Sequence, residues 1–200
     1  MPEPEPSQGR PPEIRPGALY GLSWLLYLLL AIVSVSWIGW RQDGVPLSLF
    51  LATGSAGAVA IDVALGAATA ASLIGAWWVA LRISVTARRL DATLAAHVGG
   101  LSGDRLIAVA LLSGFAEELF FRGALQDAVG IWWATLIFAL CHLGPVREAR
   151  WWAGFAAVAG LLLGGLMLWR ENLTAPVVAH CLVNAVGLHR LQRVAQSRAA

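Results

Sequence analysis

Residues 21–40 run for twenty positions without a charged side chain, and no other feature limits the possible folds as strongly. A hydrocarbon core of ~30 Å needs about 20 helical residues at ~1.5 Å rise each, so this run is long enough to cross a bilayer. The rest of the chain agrees. Of its 200 residues 58% are hydrophobic and 13% charged, whereas a soluble domain is about half apolar and a quarter charged. The sequence therefore reads as an all-α, polytopic membrane protein with about six transmembrane helices.

The first span is expected at 19–40, closed by Arg41, Asp43, Gly44 and Pro46. The apolar stretch 47–81 is too long for one upright helix and barely long enough for two. Gly54 and Gly57 point to an interfacial lead-in followed by a span near 58–81, with two crossings as the alternative. Residues 82–103, with Arg88, Arg89 and Asp91, read as a polar connection containing a surface-lying helix. Four further spans are expected at 104–128, 131–143, 151–169 and 175–188. Around this single transmembrane domain (18–190, with its motif-bearing core at 104–188) lie a Pro/Glu-rich tail at 1–17 and a short basic tail at 191–200. The first tail has too little apolar area to order itself.

Every basic residue is an arginine. With six crossings and both termini cytoplasmic, that side receives Arg10, Arg15, Arg82, Arg88, Arg89, Arg105, Arg147, Arg150, Arg190, Arg193 and Arg198. The opposite side receives Arg41 and Arg170, and Arg122 lies within a span. This bias is the one that orients membrane helices, and the expected location is the bacterial cytoplasmic membrane.

Charge inside a span costs several kcal/mol, so an intramembrane ionisable group is a functional candidate. Glu117, Glu118 and Arg122 fall in the middle of the third span. Glu118 and Arg122 are four apart, on one helix face, and are expected to form a bidentate ion pair. Glu117 points about 100° away and is left to address another neighbour. Phe138 and His142 share a face of the fourth span, as His180 and Asn184 share one of the sixth. Packing alone could explain a lone histidine or one Glu–Arg pair. Two histidines on different helices beside such a cluster are harder to assign to packing.

The order Glu-Glu-x-x-x-Arg, Phe-x-x-x-His, His-x-x-x-Asn on successive helices resembles the CPBP intramembrane protease family. That family is also called the ABI or type II CAAX prenyl endopeptidase family. The resemblance covers roughly 104–188, and all its motif positions are filled. It implies an endopeptidase in which Glu117 activates the attacking water together with His142, while His180 and Asn184 bind water or stabilise the oxyanion. Glu118 and Arg122 match the family's paired second glutamate and arginine, and Phe138 its phenylalanine. The amino-terminal spans are shorter than in the eukaryotic prenyl-protein relatives, which counts against a prenylated substrate.

Two routes stay open for the chemistry. Peptide hydrolysis needs a general base and donors aimed at the developing oxyanion, which Glu, His and Asn supply without metal. Glu117, His142 and His180 would also make a His₂Glu zinc set with one open position. The metal-free route is the expectation, since His-Glu-x-x-His is absent. Ser113 lacks a Gly-x-Ser context, and residues 100–104 miss Gly-x-Gly-Asp, so serine and aspartyl chemistries fit poorly. Cys141 and Cys181 read as small apolar filler. Partners are expected to be lipid and a peptide or protein substrate, with no nucleic acid. The alternative function is a catalytically silent protein of the same fold that binds a partner, as in bacteriocin immunity.

The remaining features read as structure. Gly160 and Gly164 form a small-residue packing face. Trp132, Trp133, Trp151 and Trp152 are expected as interfacial anchors, and His97 as solvated. His189 is expected at the end of the last helix, against its dipole, and Asp62 in a packing or supporting role.

Overall fold

Pro16 opens the first helix, where a fixed φ and a missing N–H are no handicap. The computed structural model describes residues 16–51, 55–98 and 100–199, and among them all regular structure is helical. Helix α1 (Pro16–Arg41) is followed by a 3₁₀ turn (Leu47–Leu49) and α2 (Ala56–Ile83). Next come α3 (Val85–Val98), α4 (Gly103–Glu118), a π-helical segment (Leu119–Leu125) and α5 (Gln126–Cys141), then α6 (Ala149–Arg170) and α7 (Thr174–Ala199). Of the Pro/Glu-rich tail, residues 1–15 lie outside the described residues, as does Gly54. The expected tail boundary at 17 shortens slightly, because α1 starts at Pro16.

Local chemistry sets the breaks. Ser55 caps α2, accepting the Ala58 N–H at 3.2 Å, a contact that stabilises a helix start by about 1 kcal/mol. Ser84 ends α2 in an extended conformation and accepts the Ala87 N–H at 3.2 Å, so one residue stops one helix and caps the next. Gly130 carries φ +82°, which only glycine adopts without strain. There the chain reverses. The rings of Phe121 and Phe138 lie 4.9 Å apart, where a straight helix would separate them by about 25 Å.

Four stretches are long and apolar enough to cross a membrane: Gly17–Arg41, Ala56–Ile83, Gly103–Cys141 and Ala149–Arg170. By length and composition these are four candidate membrane spans, the pattern of an integral membrane protein. The segment 47–81 holds one long helix rather than two. The third stretch folds back at Gly130 into the two arms expected at 104–128 and 131–143. Helix α7 is more polar than these four because His180, Asn184, Arg190 and Gln192 all point to partners inside the protein.

Contacts sort the connections to two ends. At one end Arg41 meets Asp127 at 3.4 Å, and the Leu173 N–H donates to Leu49 O at 2.7 Å. Asp62, fully buried, receives Arg170 and, at 3.0 Å, the Asn172 amide there. At the other end Arg105 lies 5.3 Å over the Tyr20 ring, Arg190 pairs with Asp91, and Gln192 Nε2 donates to Leu101 O at 2.6 Å. Residues 191–199 continue α7 as helix, and Gln192 ties its start to the turn after α3. For the same reason His189 lies within α7 rather than at its end.

Helix α7 is the axis of the bundle and packs on α2, α3, α4 and α6. It approaches closely where glycines allow. A Cβ on Gly66 would stand 2.6 Å from Ala175 O, and one on Gly114 would stand 2.7 Å from Cys181 Sγ. Gly160 and Gly164 seat α6 against Thr135, Phe138 and Ile131, as the small-residue face suggested.

Candidate active site

The Glu-Glu-x-x-x-Arg stretch sits where α4 gives way to the π-helical segment, a wider turn often found at functional positions. Glu118 is 0% and Arg122 2% exposed. Their ion pair forms at 2.9 Å, Arg122 Nη1 to Glu118 Oε1. It is not bidentate: the other arm of the guanidinium, Nη2, donates to Gly160 O at 3.4 Å. One turn on, Gln126 Nε2 donates to Gly164 O at 3.0 Å. Two donors four residues apart thus meet two carbonyls four residues apart, which fixes the register of the π segment on α6.

Glu118 does more than balance Arg122. His180 Nδ1 stands 2.6 Å from the same Oε1. An ionised carboxylate only accepts, so Nδ1 is the donor, and Nε2 is turned toward Glu117, whose Oε2 is 3.9 Å away. The expectation of a purely Arg-paired Glu118 is therefore incomplete: it also orients the histidine. Its second oxygen, Oε2, is buried without a hydrogen-bond partner.

His142 caps the end of α5. Its Nδ1 donates to Phe138 O at 2.7 Å, which leaves Nε2 free. Phe138 joins the parts. Its ring lies 4.4 Å from the His142 ring, 6.0 Å from that of His180 and 4.5 Å from the Arg122 guanidinium carbon. That geometry gives the Phe-x-x-x-His spacing a physical content, with one aromatic face packing both histidines and the buried cation.

Glu117, His142, His180 and Asn184 line one cavity of about 680 Å³. It runs along α7 from His180 to Leu191, about 16 Å of helix, and its walls are mostly apolar. Glu117 is the more open of the two carboxylates, its side chain 14% exposed. Asn184 donates to Ser113 Oγ at 2.9 Å and keeps a second amide proton. Trp152, expected as an interfacial anchor, instead packs against Trp77, Phe155 and His142 in the cavity wall, whereas Trp132, Trp133 and Trp151 are exposed. His97, also in the lining, is exposed and bonds Thr93 O at 2.9 Å.

Glu117, His142 and His180 do not fit a metal set as placed. Among the described residues no three His, Cys, Asp or Glu side chains stand in an arrangement that would hold an ion, so no step is routed through one below. Cys181 is seated against Gly114, as filler would be, while Cys141 is exposed and borders the cavity. Two lining residues had no functional role in the sequence reading. Tyr27 belongs to the motif-free α1, and Ser113 was weighed only as a nucleophile.

Residues 104–186 match the family described as Type II CAAX prenyl endopeptidase Rce1-like. This segment belongs to the Rce1-like CAAX protease family. An uncharacterised protein of Bacillus subtilis (strain 168), YpbD, is 42% identical over 83 residues. That match takes in 40% of this chain and 42% of YpbD, so it spans under half of either protein. No solved structure matches. The Rce1-like segment contains α4 from Asp104 on, the π segment, α5, α6 and the first half of α7. The remaining wall of the cavity comes from α1, α2 and α3 and from the second half of α7, all outside it.

Proposed function

We propose that this protein is an intramembrane endopeptidase that hydrolyses peptide bonds with a water activated by Glu117. The observation that carries the reading is the gathering of Glu117, His142, His180 and Asn184, from three separate parts of the bundle, around one mostly apolar cavity. Membership of the segment in the Rce1-like family supports the reaction class.

In this reading Glu117 takes a proton from water as it attacks the peptide carbonyl, and delivers it to the departing amine nitrogen. His142 holds the water through its free Nε2. The spare amide proton of Asn184 and the His180 ring stabilise the oxyanion, worth about 3–4 kcal/mol for a donor of this kind. Glu118 and Arg122 hold His180 in place. The chain crosses the membrane six times, with α1, α2, the two arms around Gly130, α6 and α7, and both termini are cytoplasmic. The membrane is a bacterial cytoplasmic membrane, and the substrate is a peptide or protein segment that enters the cavity.

The test is cleavage of a panel of single-span reporter peptides by purified protein in liposomes made in ¹⁸O-water. The expected products are two fragments cut within the span, with one ¹⁸O in the new carboxyl terminus. The same outcome is expected when Cys141 and Cys181 are both replaced by Ser. No cleavage by the wild type, or a cut abolished by the cysteine replacements, contradicts water activation by Glu117.

A further inference from the structure

Helix α1 is apolar throughout and largely exposed on its outer faces, yet it turns a stripe of half-buried and buried residues inward: Tyr27, Leu30, Ser34 and Ile38. Tyr27 is the one member of this stripe that lines the cavity with a polar atom. Tyr20, the other tyrosine, sits about 10 Å nearer the helix start, under Arg105. A tyrosine hydroxyl placed this deep needs a partner. Tyr27 shares its stretch of the cavity wall with Glu117 and Ser113.

This position is the gap in the site. Glu117 has His180 Nε2 no closer than 3.9 Å, beyond hydrogen-bond length. Ser113, one turn before Glu117 on α4, already accepts the Asn184 amide at 2.9 Å. The Tyr27 hydroxyl has one proton to give and lone pairs to offer. Given to the carboxylate, that proton fills the gap, whereas Ser113 spends its own on Ala110 O at 3.3 Å.

We infer that Tyr27 is a positioning residue: its hydroxyl fixes the Glu117 carboxylate toward the cavity. The inference rests on the endopeptidase reading and extends it to α1, outside the segment that carries the family resemblance. It also gives α1 a part in the reaction beyond lipid anchoring.

The experiment compares Tyr27→Phe, Tyr20→Phe and Glu117→Gln in the reporter assay, each normalised to folded protein, with thermal midpoints in detergent. Tyr27→Phe keeps the ring and loses only the hydroxyl. Its kcat is expected to fall by about ten- to a hundredfold, the equivalent of one hydrogen bond to a charged group, with KM within about twofold. Tyr20→Phe is expected to keep wild-type kcat. Should Tyr27→Phe not accumulate as folded protein, Tyr27→Leu is read in the same way. Unchanged kcat per folded molecule in the position-27 variant overturns the inference, whether or not its midpoint falls. Wild-type turnover in Glu117→Gln overturns instead the reading on which it rests.

Discussion

The buried charge around Asp62 and that around Glu118 are completed differently. In the first, Asp62 meets Arg170 with one oxygen and Asn172 with the other. Asn172 in turn donates to Arg170 O at 2.8 Å and accepts the Thr174 N–H at 2.9 Å. This cluster ties the α6–α7 turn to α2 and lies apart from the cavity that Glu117 lines. In the second, Arg122, Glu118 and His180 are joined, but Glu118 Oε2 has no partner and Glu117 faces open space. A buried polar group left unsatisfied costs about 1–3 kcal/mol. The contrast separates two uses of buried charge: the satisfied cluster is a fastening, and the one with groups to spare can act on a substrate.

Removing one member of each cluster tests that division. The largest loss of stability is expected from Arg122→Ala, which leaves Glu118 buried without its cation, at a cost of roughly 3–5 kcal/mol. Thermal melting in detergent and the yield of folded protein are the measurements. Arg122→Lys should recover only part, because an ammonium cannot reach Glu118 and Gly160 O together as the guanidinium does. If Arg122→Ala melts like wild type, this cluster does not hold the fold.

A smaller cost, about 1–3 kcal/mol, is expected from Asp62→Ala. The freed Arg170 is 23% exposed and reaches solvent. Activity per folded molecule should stay at the wild-type value, and a fall of tenfold or more would merge the two clusters into one functional unit. The smallest effect is expected from Arg41→Ala. Its pair with Asp127 is 39% and 45% exposed, and such pairs contribute about 0–1 kcal/mol. A melting change larger than that of Asp62→Ala would reverse the ranking by burial.

What the sequence disclosed follows from periodicity. The helices, the Glu118–Arg122 pair and the shared faces of Phe138 with His142 and of His180 with Asn184 are all i,i+4 relations, readable along one helix. The reversal at Gly130 was legible as a break between two apolar runs. The contact of Glu118 with His180 was not, because it joins residues 62 apart through the packing of α7 on α4. Nor was the split of the Arg122 fork, which depends on a carbonyl bared by Gly160. Tyr27 was hidden for a different reason: a tyrosine in an apolar helix looks like any lipid-facing aromatic until its neighbours are known. The continuation of α7 past Leu188 was masked by charge, since 191–200 reads as a short basic tail until Leu101 supplies a partner for Gln192.

The central claim is that Glu117 is held for chemistry and not for stability, and Glu117→Gln tests it most directly. Glutamine keeps the size and hydrogen-bonding reach of the side chain and removes its basicity. The measurement is reporter cleavage per folded molecule, with the thermal midpoint recorded on the same preparation. The expected result is a loss of cleavage of at least about a hundredfold with a midpoint within about 2 °C of wild type, equivalent to under about 1 kcal/mol. Full cleavage in this variant, or a collapse of the fold where Arg122→Ala shows none, would contradict the roles assigned to the two glutamates.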